Sequence, residues 1–169
     1  LIYTFPARFT MPEPCIPKAG ARSMSLQSPD SKMSKSDPNQ NGTLYITDSP
    51  DVLRKKIMSA VTDSESCVRY DKSKAGVSNL MQIMSALGGC TFDEIEAQFA
   101  GKGYGDFKKA VADVVIAALE PVRTRYAEYC ADKTFVEDAL RRGTENAQRR
   151  VNRTMSKVRR KVGYVDLRK

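Results

Sequence analysis

Two lysines three positions apart, Lys32 and Lys35, alternate with Ser34 and Ser36 in a stretch bounded by Pro29 and Pro38. An ammonium group is a compact cation suited to phosphate oxygens. Serine hydroxyls and loop amides add neutral donors. Proline on both sides keeps the segment out of a long helix. A loop of this make-up can close over a polyphosphate and complete a site as the ligand arrives. The same spacing also suits a polar surface loop, since Lys-x-x-Lys alone is common.

The remaining residue types narrow the chemistry. The 169 residues include no histidine, which excludes Ser-His-Asp catalysis, Cys-His catalysis and histidine-ligated metals in this chain. Cys15, Cys67, Cys90 and Cys130 are scattered without the close pairs of a zinc site, so they read as reduced cytosolic thiols and no metal site is expected. No run approaches the length of a membrane span, and a cytoplasmic location follows as the expectation. Asn41-Gly42-Thr43 has the form of a glycosylation acceptor, but nothing else points to secretion.

The net charge is +8, and much of it gathers at one end. From Arg141 onward eleven lysines and arginines are opposed only by Glu145 and Asp166. A surplus this concentrated suits a polyanion, most often nucleic acid. It equally suits a solvated helix face.

The elements that would carry these groups divide near residue 47. Pro6, Pro12, Pro14, Pro17, Pro29 and Pro38, with Gly20 and Gly42, predict extended segments and ordered loops over residues 1–47. Helices are predicted from Asp48 onward. Asp48 or Ser49 caps the first, with Pro50 at its first position and Val52, Leu53, Ile57, Ala60 and Val61 as its apolar set. A second runs from about Ser78, turns Leu80, Ile83, Met84 and Leu87 inward, and ends at Gly88-Gly89. Thr91 and Glu94 form a capping box for a third. A longer helix follows Gly105, with a kink expected at Pro121, and Tyr104 and Phe107 read as core residues. Thr134 with Glu137 reads as another capping box and Gly143 as a stop. The last helix is expected over residues 144–162, with Ala147, Val151, Met155, Val158 and Val162 as its apolar stripe. The fold class is mainly α: a helical bundle preceded by a proline-rich loop segment.

Lys32-Met33-Ser34-Lys35-Ser36 is also, letter for letter, the KMSKS signature of class I aminoacyl-tRNA synthetases. Its flanks, Gly20-Ala21-Arg22, Met24-Ser25-Leu26 and Asp37-Pro38-Asn39, resemble bacterial-type tryptophanyl-tRNA synthetases. So do Ala60-Val61-Thr62-Asp63-Ser64, Arg69-Tyr70-Asp71, Gly76-Val77-Ser78-Asn79-Leu80 and Gly101-Lys102-Gly103-Tyr104-Gly105. The blocks follow the family's order, and the resemblance covers about residues 11–165. Tyrosyl-tRNA synthetases fit less well, because the block from Ala60 to Ser64 does not match them.

The resemblance implies that residues 1–47 are the C-terminal part of a Rossmann-like catalytic domain, and 48–169 a helical domain that binds tRNA at the anticodon. It implies activation of tryptophan with ATP and Mg2+ to an adenylate, then transfer to tryptophan tRNA. Lys32 and Lys35 would stabilise charge on the leaving pyrophosphate, and such placed donors are each worth a few kcal/mol to a transition state. Ser34 and Ser36 would donate to phosphate or shape the loop. Met33 would contribute through its backbone, and Ser23 through a main-chain contact to adenine. The family usually has an aliphatic residue at the position of Ser23, so apolar packing there is in doubt. A homodimer is implied for the intact enzyme.

The class also uses a His-Ile-Gly-His-like signature, which a chain without histidine does not contain. The expectation is that this chain alone makes no adenylate, with most of the tryptophan pocket elsewhere. Arg149, Arg150, Arg153 and Lys157 share a broad face of the last helix and are the candidate tRNA contacts. The alternatives are a stand-alone basic helical RNA-binding module and a helical interaction domain with an incidental lysine loop.

Overall fold

The computed structural model describes residues 13–16 and 22–164. Pro6, Pro12, Pro17, Gly20 and Ala21 lie outside them, as do Asp166, Arg168 and Lys169. The chain divides into two compact units, residues 16–126 and residues 1–15 with 127–169.

In the first unit the described chain up to Ser49 carries one short 3-10 turn, Gln40–Gly42. Helix α1, Pro50–Met58, starts as its sequence predicts: the Ser49 side chain accepts the Val52 amide, and Pro50 occupies the first turn. It ends before Ala60 and Val61. Of the predicted apolar set, Leu53, Ile57 and Ala60 are buried while Val52 and Val61 are exposed.

Helix α2, Ala75–Gly88, begins three residues before the expected Ser78. Gly89 closes it at φ 75°, a left-handed conformation that glycine adopts without a side-chain penalty. Leu87, predicted to face inward, is exposed. Helix α3, Phe92–Gln98, has the reciprocal capping box: Glu94 accepts the Thr91 amide at 2.7 Å and its own amide reaches Thr91 Oγ1 at 3.3 Å. Helix α4, Tyr104–Ala131, takes in Gly105 and accommodates Pro121.

The core gathers side chains from all four helices of this unit. Leu53, Ile57, Val77, Leu80, Met81, Ile95 and Phe107 are fully covered, and Leu26 joins them from the loop segment. Phe99 meets Phe107 edge to face at 5.3 Å. The Arg69-Tyr70-Asp71 block is built into this packing. Tyr70 stacks on Phe92 at 4.1 Å, and Ser78 Oγ holds both the amide and the carbonyl of Asp71.

The second unit corrects the reading of the C-terminal region. A single helix, α5, runs over Lys133–Val162. Asp132 caps it by accepting the Phe135 amide, so Thr134 and Glu137 lie inside the helix rather than in a capping box. Gly143 does not stop it. A glycine inside a helix costs only about 1 kcal/mol against alanine, and the good helix formers around it outweigh that. The predicted apolar stripe from Ala147 to Val162 contains no buried residue.

Candidate functional site

The lysine loop is a short closed hairpin. Met24 and Lys32 form an antiparallel bridge. Two backbone bonds close it, from the Met33 amide to the Ser23 carbonyl at 2.9 Å and from the Ser25 amide to the Ser31 carbonyl at 2.8 Å. Because those bonds come from the flanking residues, Met24 and Lys32 are a non-hydrogen-bonded pair, and the polar groups of Met24 point out of the hairpin. The Asn79 carboxamide of α2 takes both. Its Oδ1 accepts the Met24 amide at 2.9 Å and its Nδ2 donates to the Met24 carbonyl at 2.8 Å.

The far side of the loop has separate supports. Thr43 donates its hydroxyl to the Ser34 carbonyl at 2.8 Å. The Tyr45 hydroxyl lies 3.1 Å from the Lys35 carbonyl and 2.8 Å from Gln40 Oε1. Lys56 of α1, buried to 6 % exposure, holds this support in place. Its ammonium donates to the Thr43 carbonyl at 2.9 Å and to Asp48 at 2.7 Å, and sits 4.7 Å from the centre of the Tyr45 ring. Ser34 and Ser36 share a hydroxyl hydrogen bond of 3.0 Å.

Each predicted loop residue is accounted for. Ser23, Lys32, Lys35 and Ser36 are exposed, while Met33 and Ser34 are partly covered. Neither lysine makes an ion pair among the described residues. The hairpin therefore fixes the backbone and leaves two ammonium groups in solvent. A cleft of about 220 Å³ lies on the α2 side, between Met24, Pro29, Tyr70 and Asn79, and neither lysine lines it.

A second charged cluster lies at the start of α2. The Lys74 ammonium is almost fully covered and contacts Glu65 at 2.6 Å, Asp63 at 3.1 Å and the Tyr104 hydroxyl at 3.3 Å. Tyr104 donates to Asp63 at 2.7 Å. Burial pushes the Asp63 pKa upward and is outweighed. The Tyr104 hydroxyl, the Glu65 amide and Lys74 hold the carboxyl down to about 2. Glu65 in turn raises the Lys74 pKa above the ordinary lysine range, against the opposing effect of burial.

The predicted tRNA contacts lie in the second unit, on α5. Arg149, Arg150, Arg153 and Lys157 are all exposed. At 3.6 residues per turn they span an arc of about 100°, opposite the apolar stripe. They make no ion pair among the described residues, whereas Arg141 pairs with Asp138 at 2.9 Å and Glu145 at 3.6 Å.

The sequence reading missed the supports Asn79, Thr43, Tyr45 and Lys56. One signal was present: Asn79 falls inside the Gly76-to-Leu80 block.

The family model for tRNA synthetases class I (W and Y) matches residues 1–120, and the chain belongs to that family. Within it, the chain is similar to proteins of the tryptophanyl kind. The tryptophan--tRNA ligase of Bacillus subtilis is 49% identical over 156 residues, covering 92% of this chain and 47% of that protein. The tryptophan--tRNA ligase of Clostridium tetani is 45% identical over 157 residues, covering 93% and 46%. Tryptophanyl-tRNA synthetase from Mycoplasma pneumoniae superposes with a TM-score of 0.84 at 29% identity, covering 97% of this chain and 50% of that one. The Campylobacter jejuni enzyme, solved with ADP and tryptophan, gives a TM-score of 0.64 at 26% identity, covering 96% and 50%. The chain spans about half the length of the curated relatives it matches.

Proposed function

We propose that this chain supplies the phosphate-binding lysine loop and the tRNA-binding helices of a tryptophan--tRNA ligase. The observation that carries the reading is the hairpin of residues 23–33, whose backbone is hydrogen-bonded while Lys32 and Lys35 remain exposed and unpaired. In the first step a tryptophan carboxylate attacks the α-phosphate of ATP, and negative charge moves onto the departing pyrophosphate. Lys32 and Lys35 meet that charge, with Ser34 and Ser36 as neutral donors. Ser23 and Met33 contribute main-chain contacts to the nucleotide. A backbone already held in place spends no binding energy on ordering itself, which favours electrostatic stabilisation of the transition state.

Residues 1–47 belong to the catalytic part and residues 48–169 to the helical, tRNA-binding part. The second step transfers the tryptophanyl group to tryptophan tRNA, with Arg149, Arg150, Arg153 and Lys157 as phosphate contacts. The described residues contain no group of three or more His, Cys, Asp or Glu side chains placed to hold a metal ion. In this reaction Mg2+ would arrive with the ATP phosphates. Among the described residues no helix is long and apolar enough to cross a membrane. The intact enzyme would act in the cytoplasm as a homodimer. This chain, without a histidine signature, makes no adenylate by itself.

Titration of ATP into the chain, followed by NMR of the hairpin amides, tests the loop assignment. Weak, salt-sensitive binding is expected, and the Lys32→Ala/Lys35→Ala double variant should abolish it. Equal binding by the double variant would remove the loop from the phosphate site.

A further inference from the structure

We infer that Asn79 is a positioning residue for Lys32, acting through the backbone of Met24; this rests on the phosphate-loop reading above. Met24 faces Lys32 across the bridge as a non-hydrogen-bonded pair, so its amide and carbonyl are directed away from the hairpin. Backbone groups left without partners away from water are costly. In a sheet a third strand would satisfy them. Here one side chain does so, with a planar carboxamide that presents a donor and an acceptor side by side, as the N–H and C=O of one residue in a neighbouring strand would.

Asn79 is itself only 2% exposed and sits in the second turn of α2, between core residues Val77 and Leu80. The contact joins residues 55 positions apart. Lys32 therefore takes its position from the buried face of α2, through Asn79, Met24 and the bridge. The clamp touches neither ammonium group and no expected phosphate. Its influence is confined to where the Lys32 backbone is held.

Aspartate at this position separates the clamp from mere space filling. The ionised carboxylate of Asn79→Asp still accepts the Met24 amide but repels the Met24 carbonyl. The protonated form donates again and restores both bonds. Burial raises the pKa of such a carboxyl, so recovery falls in an accessible range.

The test compares the native chain with Asn79→Asp and Asn79→Ala, reading amide protection factors and affinity for inorganic pyrophosphate at pH 7.5 and about pH 5. Far-UV circular dichroism at each pH monitors the helices. At the higher pH both variants should lose about tenfold in protection at the Ser25 and Met33 amides, with a several-fold loss in pyrophosphate affinity. On acidification Asn79→Asp should return toward the native values measured at the same pH, and Asn79→Ala should not. Native protection in Asn79→Asp at pH 7.5, or no recovery on acidification, overturns the clamp. Reduced protection with unchanged pyrophosphate affinity overturns its role in positioning Lys32. If the native chain binds no pyrophosphate, the phosphate-loop reading fails instead, and the protection factors alone decide the clamp.

Discussion

The Lys74 ammonium and the Asp63 carboxylate lie 3.1 Å apart, joining the first residue before α2 to the segment that follows α1. Tyr104, from the first turn of α4, donates to the same Asp63 oxygen, so three separate stretches meet at one carboxylate. Asp63 has a folded-state pKa of about 2, below the value of about 3.9 for a free side chain. A depressed carboxyl stabilises the fold above its unfolded pKa, and that stabilisation drains away as pH falls toward the folded value. Urea midpoints of the native chain should therefore drop between about pH 4 and pH 2. Tyr104→Phe removes a donor to a charged group and should cost about 1.5–3 kcal/mol near neutrality. It should also make the acid-limb loss smaller, because Asp63 is then less depressed. An unchanged acid limb in Tyr104→Phe would show that the hydroxyl does not govern Asp63.

Two glycines in helices should respond in opposite directions to alanine. A Cβ on Gly76 would lie 2.0 Å from the Val61 carbonyl oxygen, a backbone atom in the segment whose Val61 amide bonds to Leu26. Gly76→Ala should therefore destabilise the first unit by about 1–3 kcal/mol or more, with looser hairpin amides. A Cβ on Gly143 meets nothing within 4 Å. Gly143→Ala should stabilise α5 by up to about 1 kcal/mol. Denaturation followed at helical and hairpin amides separates the two effects, and a neutral Gly76→Ala would contradict the close approach.

The basic arc of α5 predicts a salt signature. Replacing Arg149, Arg150, Arg153 and Lys157 with alanine should weaken RNA binding similarly across sequences, because phosphate contacts carry no base information. The slope of log affinity against log salt should flatten by roughly 0.7–0.9 for each phosphate that is no longer neutralised. Filter-binding titrations with tRNA at several salt concentrations read both quantities. An unchanged slope would assign the arc to solvent alone.

What the sequence revealed depended on how local the cause was. The Ser49 cap with Pro50 and the Thr91–Glu94 box involve neighbours three residues apart, so their chemistry is visible in the string. That residues 29–38 form a loop was legible for the same reason, while a phosphate role for its lysines came only from the family resemblance. Gly143 and Thr134 were misread because each carries a local signal that the surrounding helix overrides. Leu87 and Val52 have the spacing of core residues but lie exposed, since periodicity marks a face and not what covers it. Asn79 and Lys56 could not be identified as supports from spacing. Their partners lie 55 and 13 positions away, and only the folded chain brings them together.

The two loop lysines are referenced to different helices. The backbone of Lys32 is registered to α2 through Met24 and Asn79, and that of Lys35 to α1 through Tyr45 and Lys56. The spacing of the two lysine backbones thus follows the relative placement of α1 and α2, while both side chains stay exposed. The loop behaves as a caliper: a small slide between the two helices changes the distance between the two lysine backbones.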